Sequence, residues 1–397
     1  MRLTTIVVLL LAGILAGTQL GKIAPLIGWY QGEVGFSLVM AGWLTAAIGL
    51  FVALVALPAG WVIAKVGARP AFVLASILQV GGGAALALFE VPAAILAARL
   101  VEALGYLLLV IAIPALLNSV PPPRWRAAAL AVWGGFVPLG YAVGDFLARA
   151  LAAPDNPRLY LGVAIGLFAV LALPAALLLA KVEDSGNDSA GGEEGSFAAT
   201  LTLPVMLVAL AFGVYVVASI GFFTFLPAFI ATPASVFLVS AGAISLSVPI
   251  GNLLAGLLVR RGARVALFLA ASGFAVTAAA AWPAFTGAEG MPATAAVVVF
   301  AVAGGLTASA LFAAIPAIVP PRGSAAVAIG LVCQAGGIGT VLGPPLAAAV
   351  IDAHGWTGWT WFLVAVSAAG VVCLLPLLIG RSVRPEVGLS GNIVRNR

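Results

Sequence analysis

Residues 60–69, GWVIAKVGAR, form a short basic turn at the junction of two long apolar runs, 37–64 and 70–89. Lys65 and Arg69 stand on either side of a glycine, the residue type that adopts positive φ values without steric cost. Each run is long enough to cross the roughly 30 Å hydrocarbon core of a bilayer as an α-helix. The stretch therefore predicts two membrane-spanning helices joined by a tight loop, whose positive charges favour the cytoplasmic side.

The composition extends this pattern to the whole chain of 397 residues. Hydrophobic residues make up 63% of the chain and charged residues only 8%, whereas an ordinary soluble domain is about 25% charged. A chain of this size in water needs a polar surface that these residues do not supply. Because the apolar runs lack the in–out alternation of barrel strands, we predict an all-α membrane protein.

Twelve spans result when the apolar runs are divided at charged residues and at Pro and Gly clusters. Their approximate limits are 4–28, 37–64, 70–89, 92–118, 127–150, 159–181, 201–230, 235–259, 265–285, 293–319, 324–351 and 358–380. Most of the 18 Lys and Arg residues fall on the two termini and on alternate loops between spans. By the positive-inside rule we expect both termini in the cytoplasm and a multi-pass protein of the cell inner membrane.

The longest polar stretch, KVEDSGNDSAGGEEGS at residues 181–196, lies between the sixth and seventh spans. It is rich in Gly, Ser and acidic residues and has no apolar face to bury, which predicts a flexible linker. The predicted organisation is a six-helix bundle, a cytoplasmic linker, a second six-helix bundle and a cytoplasmic tail, at residues 1–181, 182–200, 201–380 and 381–397.

The two predicted bundles share short sequences, which indicates an internal repeat. Residues 65–69, KVGAR, correspond to residues 260–264, RRGAR, in the loop after the second span of each half. Ile-Pro-Ala at 113–115 and Gly-Gly at 134–135 each recur 202 residues later. Since each repeat holds an even number of spans, both halves have the same orientation, as in parallel-repeat transporters.

The stretch 60–69 resembles the loop between the second and third helices of the major facilitator superfamily. Four residues carry the likeness: Gly60, Lys65, Gly67 and Arg69. Ala64 stands where the family has an acidic residue, a departure that removes the carboxylate of its usual charge-relay latch. The resemblance implies that these four residues, with Gly262 and Arg264 in the second half, act as a conformational gate.

Two further stretches carry the resemblance. Residues 99–105, RLVEALG, resemble the family's helix 4 motif, in which an arginine precedes a glycine on a cavity-lining helix. Residues 134–140, GGFVPLG, resemble the Gly/Pro-rich helix 5 motif often seen in antiporters. The pattern is similar to small prokaryotic porters of the cyanate/nitrate/nitroimidazole type. The resemblance implies two pseudo-symmetric six-helix bundles that move a solute by alternating access.

Ionisable residues inside the spans are the strongest candidates for function, because each costs about 2.5 kcal/mol or more to insert. We predict that Lys22 and Arg99 bind the solute and that Glu102 and Asp145 carry the coupling proton. Three structural alternatives stay open: Lys22 snorkels to the headgroups, Arg99 and Glu102 form a structural pair on one helix face, or Asp145 pairs with Arg149 near the interface.

The second half contributes polar and aromatic candidates. From this half we add Asn252, Gln334 and Thr224 as polar candidates, and Phe222, Phe223 and Phe225 as an aromatic surface. Trp133, in the fifth span of the first half, is a further predicted solute ligand. The predicted function is secondary active transport, proton-coupled, of a small anionic or polar solute. The alternative is an efflux antiporter for lipophilic compounds, which the apolar second half and the helix 5 likeness favour.

Other functional classes lack their sequence signals. The chain has no GxxxxGK[ST] loop for a nucleotide, no GxSxG and no cluster with metal-ligand spacing. We therefore expect neither an enzyme nor a cofactor or metal site. The expected partners are a small solute, protons or a counter-ion and the lipid bilayer, with no nucleic acid, and the expected state is a monomer.

Overall fold

The computed structural model describes residues 2–122, 129, 132–180, 196–232, 238–259, 263–287 and 290–379. These residues are mostly helical and include no strand. Ten helices among them are long and apolar enough to cross a membrane. One of the ten, Val327–Ile379, holds two spans, because Gly355 breaks it with a φ of 65°. Phe136–Ala150 is the described part of the fifth predicted span, so the predicted twelve-span arrangement is confirmed.

Among the described residues of the first half, eight α-helices are assigned to its six spans. They are α1 Arg2–Gly21, α2 Ile27–Gly32, α3 Leu38–Ala46, α4 Leu50–Val66, α5 Ala68–Leu88, α6 Pro92–Ser119, α7 Phe136–Ala150 and α8 Pro157–Ala180. The first span breaks between α1 and α2, where Pro25 lies in a 3₁₀ turn and offers no backbone N–H. The second span breaks at the 3₁₀ turn Ala47–Gly49.

The described part of the second half includes seven α-helices. They are α9 Phe197–Thr200, α10 Leu203–Ile230, α11 Ala241–Ser245, α12 Val248–Leu258, α13 Ala263–Trp282, α14 Met291–Ile318 and α15 Ala325–Ile379. Short α9 occupies the last four residues of the predicted linker, because Ser196 caps it by accepting a hydrogen bond from Ala199 N at 3.3 Å. The predicted linker residues 182–195 and the predicted tail 381–397 lie outside the described residues.

We call the end of the molecule that holds the N-terminus the proximal end. The opposite end, with the turns at 33–37, 89–91 and 151–156, is the distal end. Among the described residues, two apolar cores lie within the first half and one within the second, and a fourth contains residues of both halves. This shared core joins the two halves.

Glycines allow the halves to approach closely along the seam between α3–α4 and α15. A Cβ on Gly42 would lie 2.9 Å from the carbonyl oxygen of Pro344, and a Cβ on Gly337 would lie 2.6 Å from Ala53 N. Within the first half, a Cβ on Gly140 would lie 2.1 Å from a backbone carbon of α1. Small residues at these positions let helix backbones touch, which is how helices associate within lipid.

Candidate functional site

Arg99 of α6 binds the free backbone carbonyls at two helix breaks. Because α1 ends at Gly21, its last carbonyls lack the usual i+4 donor. The Arg99 guanidinium donates to Gln19 O at 2.8 Å and to Leu20 O at 3.4 Å. Its Nε donates to Leu44 O at 3.0 Å, just before the break in the second span. A cation at the carboxyl end of a helix also complements the helix dipole.

Glu102 joins Arg99 to Lys22. Its Oε2 accepts a hydrogen bond from Arg99 Nη1 at 2.9 Å, which confirms that the two residues form a pair on one face of α6. Its Oε1 accepts one from Lys22 Nζ, which also donates to Gln19 Oε1 at 2.9 Å. We call Lys22, Arg99 and Glu102 the ion cluster. All three are fully buried, so Lys22 does not snorkel to the membrane surface.

The ion cluster lies inside the first half. A Cβ on Gly82 of α5 would lie 2.7 Å from Glu102 Cγ, and a Cβ on Gly83 would lie 3.0 Å from Glu102 Oε1. Gln79, one turn along the same helix, is fully buried, and both polar atoms of its amide lack a partner among the described residues. The cluster holds two cations for one carboxylate, so one positive charge is in excess.

Asp145 of α7 connects the two halves. Its Oδ2 accepts a hydrogen bond from Arg149 Nε at 3.0 Å, which confirms the predicted i,i+4 ion pair. The same oxygen accepts a second hydrogen bond at 2.9 Å from the backbone N–H of Gly242, which begins the eighth span. Asp145 is 5% exposed, whereas the side chain of Arg149 is 51% exposed.

Aromatic side chains meet where the halves face each other. Tyr141 of the first half stacks on Phe223 of the second, with ring centroids 5.1 Å apart. The Tyr141 hydroxyl lies 3.5 Å from the hydroxyl of Thr224. Tyr106 and Phe136 belong to the same shared core, with centroids 6.5 Å apart. We call Tyr106, Phe136, Tyr141, Phe223 and Thr224 the aromatic interface.

The other predicted solute ligands do not converge on the ion cluster. Trp133 stacks on Phe136 at 4.2 Å and packs against Gly13, within the first half. Asn252 faces α14, and its Oδ1 lacks a partner in the described part of the chain. Gln334 donates from Nε2 to Ala53 O at 3.2 Å, which links α15 to α4 across the seam. Their role in solute binding stays a prediction.

The predicted gate lies at the proximal end. Gly67 has a φ of 103° and a ψ of 145°, a conformation open mainly to glycine. Lys65 Nζ lies 3.4 Å from the ring centroid of Trp61. Gly60 has open space around its Cα, Arg69 is half-buried and Arg264 is exposed. Gly262 falls outside the described residues, and the gating role of all six residues stays a prediction.

Sequence reasoning missed two contacts of the candidate site. Gln19 precedes Lys22 by three residues on an apolar span, so a search for polar residues beside in-span charges finds it. Gly242 carries no such signal, because it acts through its backbone N–H and lies 97 residues from Asp145.

Comparison with known proteins agrees with this architecture. The chain has the fold of a bacterial homologue of the human lysosomal transporter Spinster in an inward-facing, occupied conformation, with a TM-score of 0.72, 17% identity and 94% of each chain covered. It also has the fold of the xylose transporter XylE from E. coli in an inward-open conformation, with a TM-score of 0.73, 14% identity and coverage of 94% of this chain and 96% of that one. Sequence comparison with curated proteins gave no match.

The sequence profile of the Major Facilitator Superfamily matches residues 9–338, most of the chain. This match agrees with the paired six-span halves and with the interface between them. The chain belongs to the Major Facilitator Superfamily, whose members carry solutes across membranes by alternating access of a site between two halves.

Proposed function

We propose that the chain is a proton-coupled secondary transporter for an organic solute with an apolar or aromatic body. The observation that carries this proposal is the aromatic interface, where rings and three hydroxyl groups, but no charged side chain, come from the two halves. Aromatic rings bind apolar bodies and organic cations through their faces, and the hydroxyls of Tyr141 and Thr224 offer a few directional hydrogen bonds. This arrangement favours the lipophilic solute class over a small anion.

The ion cluster supports the same choice, because its charged groups are already engaged. Arg99 donates to three backbone carbonyls and to Glu102, and Lys22 donates to Glu102 and Gln19. A solute held between the halves therefore meets no free cation from this cluster. We assign Lys22 and Arg99 mainly to holding the first half together.

A small anion is the second candidate, and the excess positive charge of the ion cluster favours it. Two cations and one carboxylate are fully buried at the depth of the first-span break. An uncompensated charge is costly in a low-dielectric interior, so an anion that reached this depth would be stabilised. This candidate requires that Lys22 or Arg99 exchange a present partner for the solute.

Proton coupling fits the two buried carboxylates of the first half, Glu102 and Asp145. No nucleotide-binding loop is present in the sequence, so an ion gradient is the proposed energy source. From the distribution of Lys and Arg we propose that both termini lie in the cytoplasm and that the protein spans the inner membrane. We propose a monomer, since each half already packs against its partner within one chain.

Purified protein in liposomes with an internal pH dye tests the proposal. Tetraphenylphosphonium and ethidium probe the lipophilic class, and cyanate, nitrate and acetate probe the anions. We expect internal pH to change with the lipophilic probes, and Phe223→Ala to abolish at least 90% of that change. Phe268→Ala is the matched control, because Phe268 is 62% exposed on the lipid side of α13.

The outcome decides between the two candidates. A pH change triggered by anions alone, retained in Phe223→Ala and lost in Lys22→Gln, would reject the aromatic-interface proposal and establish the second candidate. Lipophilic probes that move without any pH change would retain the solute class and reject proton coupling.

A further inference from the structure

The Asp145–Gly242 hydrogen bond joins the halves at the distal end. Gly242 is the second residue of α11, so its N–H has no partner within that helix. Ser240 Oγ accepts from Ala243 N at 3.2 Å and caps the helix from its own half. Asp145 accepts from Gly242 N at 2.9 Å and supplies the second cap from the other half. The start of the eighth span is thus capped by both halves while the distal ends touch.

The absence of a side chain at Gly242 lets Asp145 approach its backbone closely. A Cβ there would lie 3.0 Å from Asp145 Oδ2, 3.1 Å from Ala142 O and 3.1 Å from the ring of Phe146. Any larger residue would push the two halves apart by a few tenths of an ångström. The glycine therefore permits a direct bond between the carboxylate and the backbone, with no intervening side chain.

We infer that Asp145 is a proton-binding latch: ionised, it holds the distal ends of the halves together, and protonated, it releases them. The inference rests on the proposed alternating-access transport and deepens it by assigning the coupling proton to a specific contact between the halves. An ionised carboxylate accepts stronger hydrogen bonds than a neutral acid does. Protonation also ends the ion pair with Arg149, but that pair lies within α7, so the contact that the halves lose is the hydrogen bond from Gly242.

Asp145 supplies the carboxylate at this contact. The charged and titratable groups on α7 and on the elements packed against it are Tyr141 and Arg149 on α7, Arg2 on α1, Lys22 beside α1, Arg158 and Tyr160 on α8, and Tyr215 on α10. Lys22 is held by Glu102, Arg158 pairs with Glu90 at 2.6 Å, and the Tyr160 hydroxyl donates to Gly144 O at 3.3 Å. Segments α10, α11 and α14 carry no Asp, Glu, Lys, Arg or His.

Protons reach Asp145 from the distal solution. Arg149, its ion-pair partner, is half-exposed and lies beside the distal turn 151–156. The latch is therefore expected to open when a proton from the distal solution binds Asp145. In the predicted orientation the distal side is the outer side, where an inward proton gradient supplies the protons.

Distances between spin labels on the two halves test the latch without any solute. Labels at Ala150 and Leu238, both exposed at the distal end, are introduced after Cys333 and Cys373 are replaced by Ser. In lipid nanodiscs we expect the ratio of long to short distances to rise about five-fold between pH 8 and pH 5. Asp145→Asn should give the acidic distribution of the unmodified protein at both pH values.

Two further variants keep the test decisive. Arg149→Gln retains the Asp145–Gly242 bond and should keep most of the pH response, which separates the latch from the surface ion pair. Gly242→Ala retains the carboxylate but crowds it, and should favour long distances at pH 8. Unchanged distances in Asp145→Asn, or a full pH response that persists in it, would overturn the latch. Failure of the solute proposal alone leaves these distances unaffected.

Discussion

Neutralising Glu102 is expected to destabilise the protein more than removing Lys22. In the unmodified chain, the ion cluster carries two positive charges and one negative charge, all fully buried. Glu102→Gln leaves Lys22 and Arg99 together without a counter-charge. Removing one partner of a buried ion pair typically costs about 3–5 kcal/mol, so we expect a loss of that size in the free energy of unfolding.

Lys22→Met has the opposite effect on the charge balance. It leaves Arg99 and Glu102 as a neutral pair, still bonded at 2.9 Å, with the three carbonyl contacts of Arg99 intact. Gln19 Oε1 and Glu102 Oε1 both lose the donor that Lys22 supplied, which costs about 1–3 kcal/mol for each buried acceptor. The excess charge is removed at the same time, so we expect a smaller net loss than in Glu102→Gln.

The double variant Lys22→Met/Glu102→Gln tests this charge argument. It holds a single buried cation instead of two, so it should be about 2 kcal/mol more stable than Glu102→Gln alone, within the range of measured coupling energies. SDS titration of the purified variants, followed by tryptophan fluorescence, measures all four free energies of unfolding. The reasoning is refuted if Lys22→Met is the least stable variant, or if the double variant is no more stable than Glu102→Gln.

Three smaller predictions concern single contacts. Gly140→Ala should lower the free energy of unfolding by about 1–3 kcal/mol, because its Cβ would lie 2.1 Å from a backbone carbon of α1; Gly162→Ala, with open space around it, is the control. Gly67→Ala should lower the free energy of unfolding by about 1–3 kcal/mol, because Gly67 has a φ of 103°. Gly60→Ala is the control, and an equal loss in that variant in thermal unfolding would contradict this reason. Gln334→Leu should lower the free energy of unfolding by about 1 kcal/mol or less in the same assay. Cysteine cross-linking across the seam should decrease in this variant, because the halves separate more often. Unchanged cross-linking would show that this hydrogen bond does not hold the halves together.

The sequence is sufficient for much of the fold because insertion into lipid is a local property. A span must satisfy its backbone hydrogen bonds internally and bury about 20 apolar residues, so hydropathy alone marks its position. The repeated basic loops at 65–69 and 260–264 indicate the two halves in the same way. The cost of an in-span charge is also local, which is why Lys22, Arg99, Glu102 and Asp145 are evident before any contact is known.

The partners of those charges depend on tertiary structure. Arg99 binds carbonyls that are free only because α1 and α3 end where they do, and helix ends are not fixed by hydropathy. Asp145 accepts a hydrogen bond from a backbone N–H 97 residues away. No side-chain pattern in the sequence predicts this contact. The sequence by itself therefore determined the spans, the two halves and the candidate charges. Packing alone decided that three of those charges bind one another inside the first half and that the fourth binds the second half, because such contacts depend on which helices meet and where their backbones break.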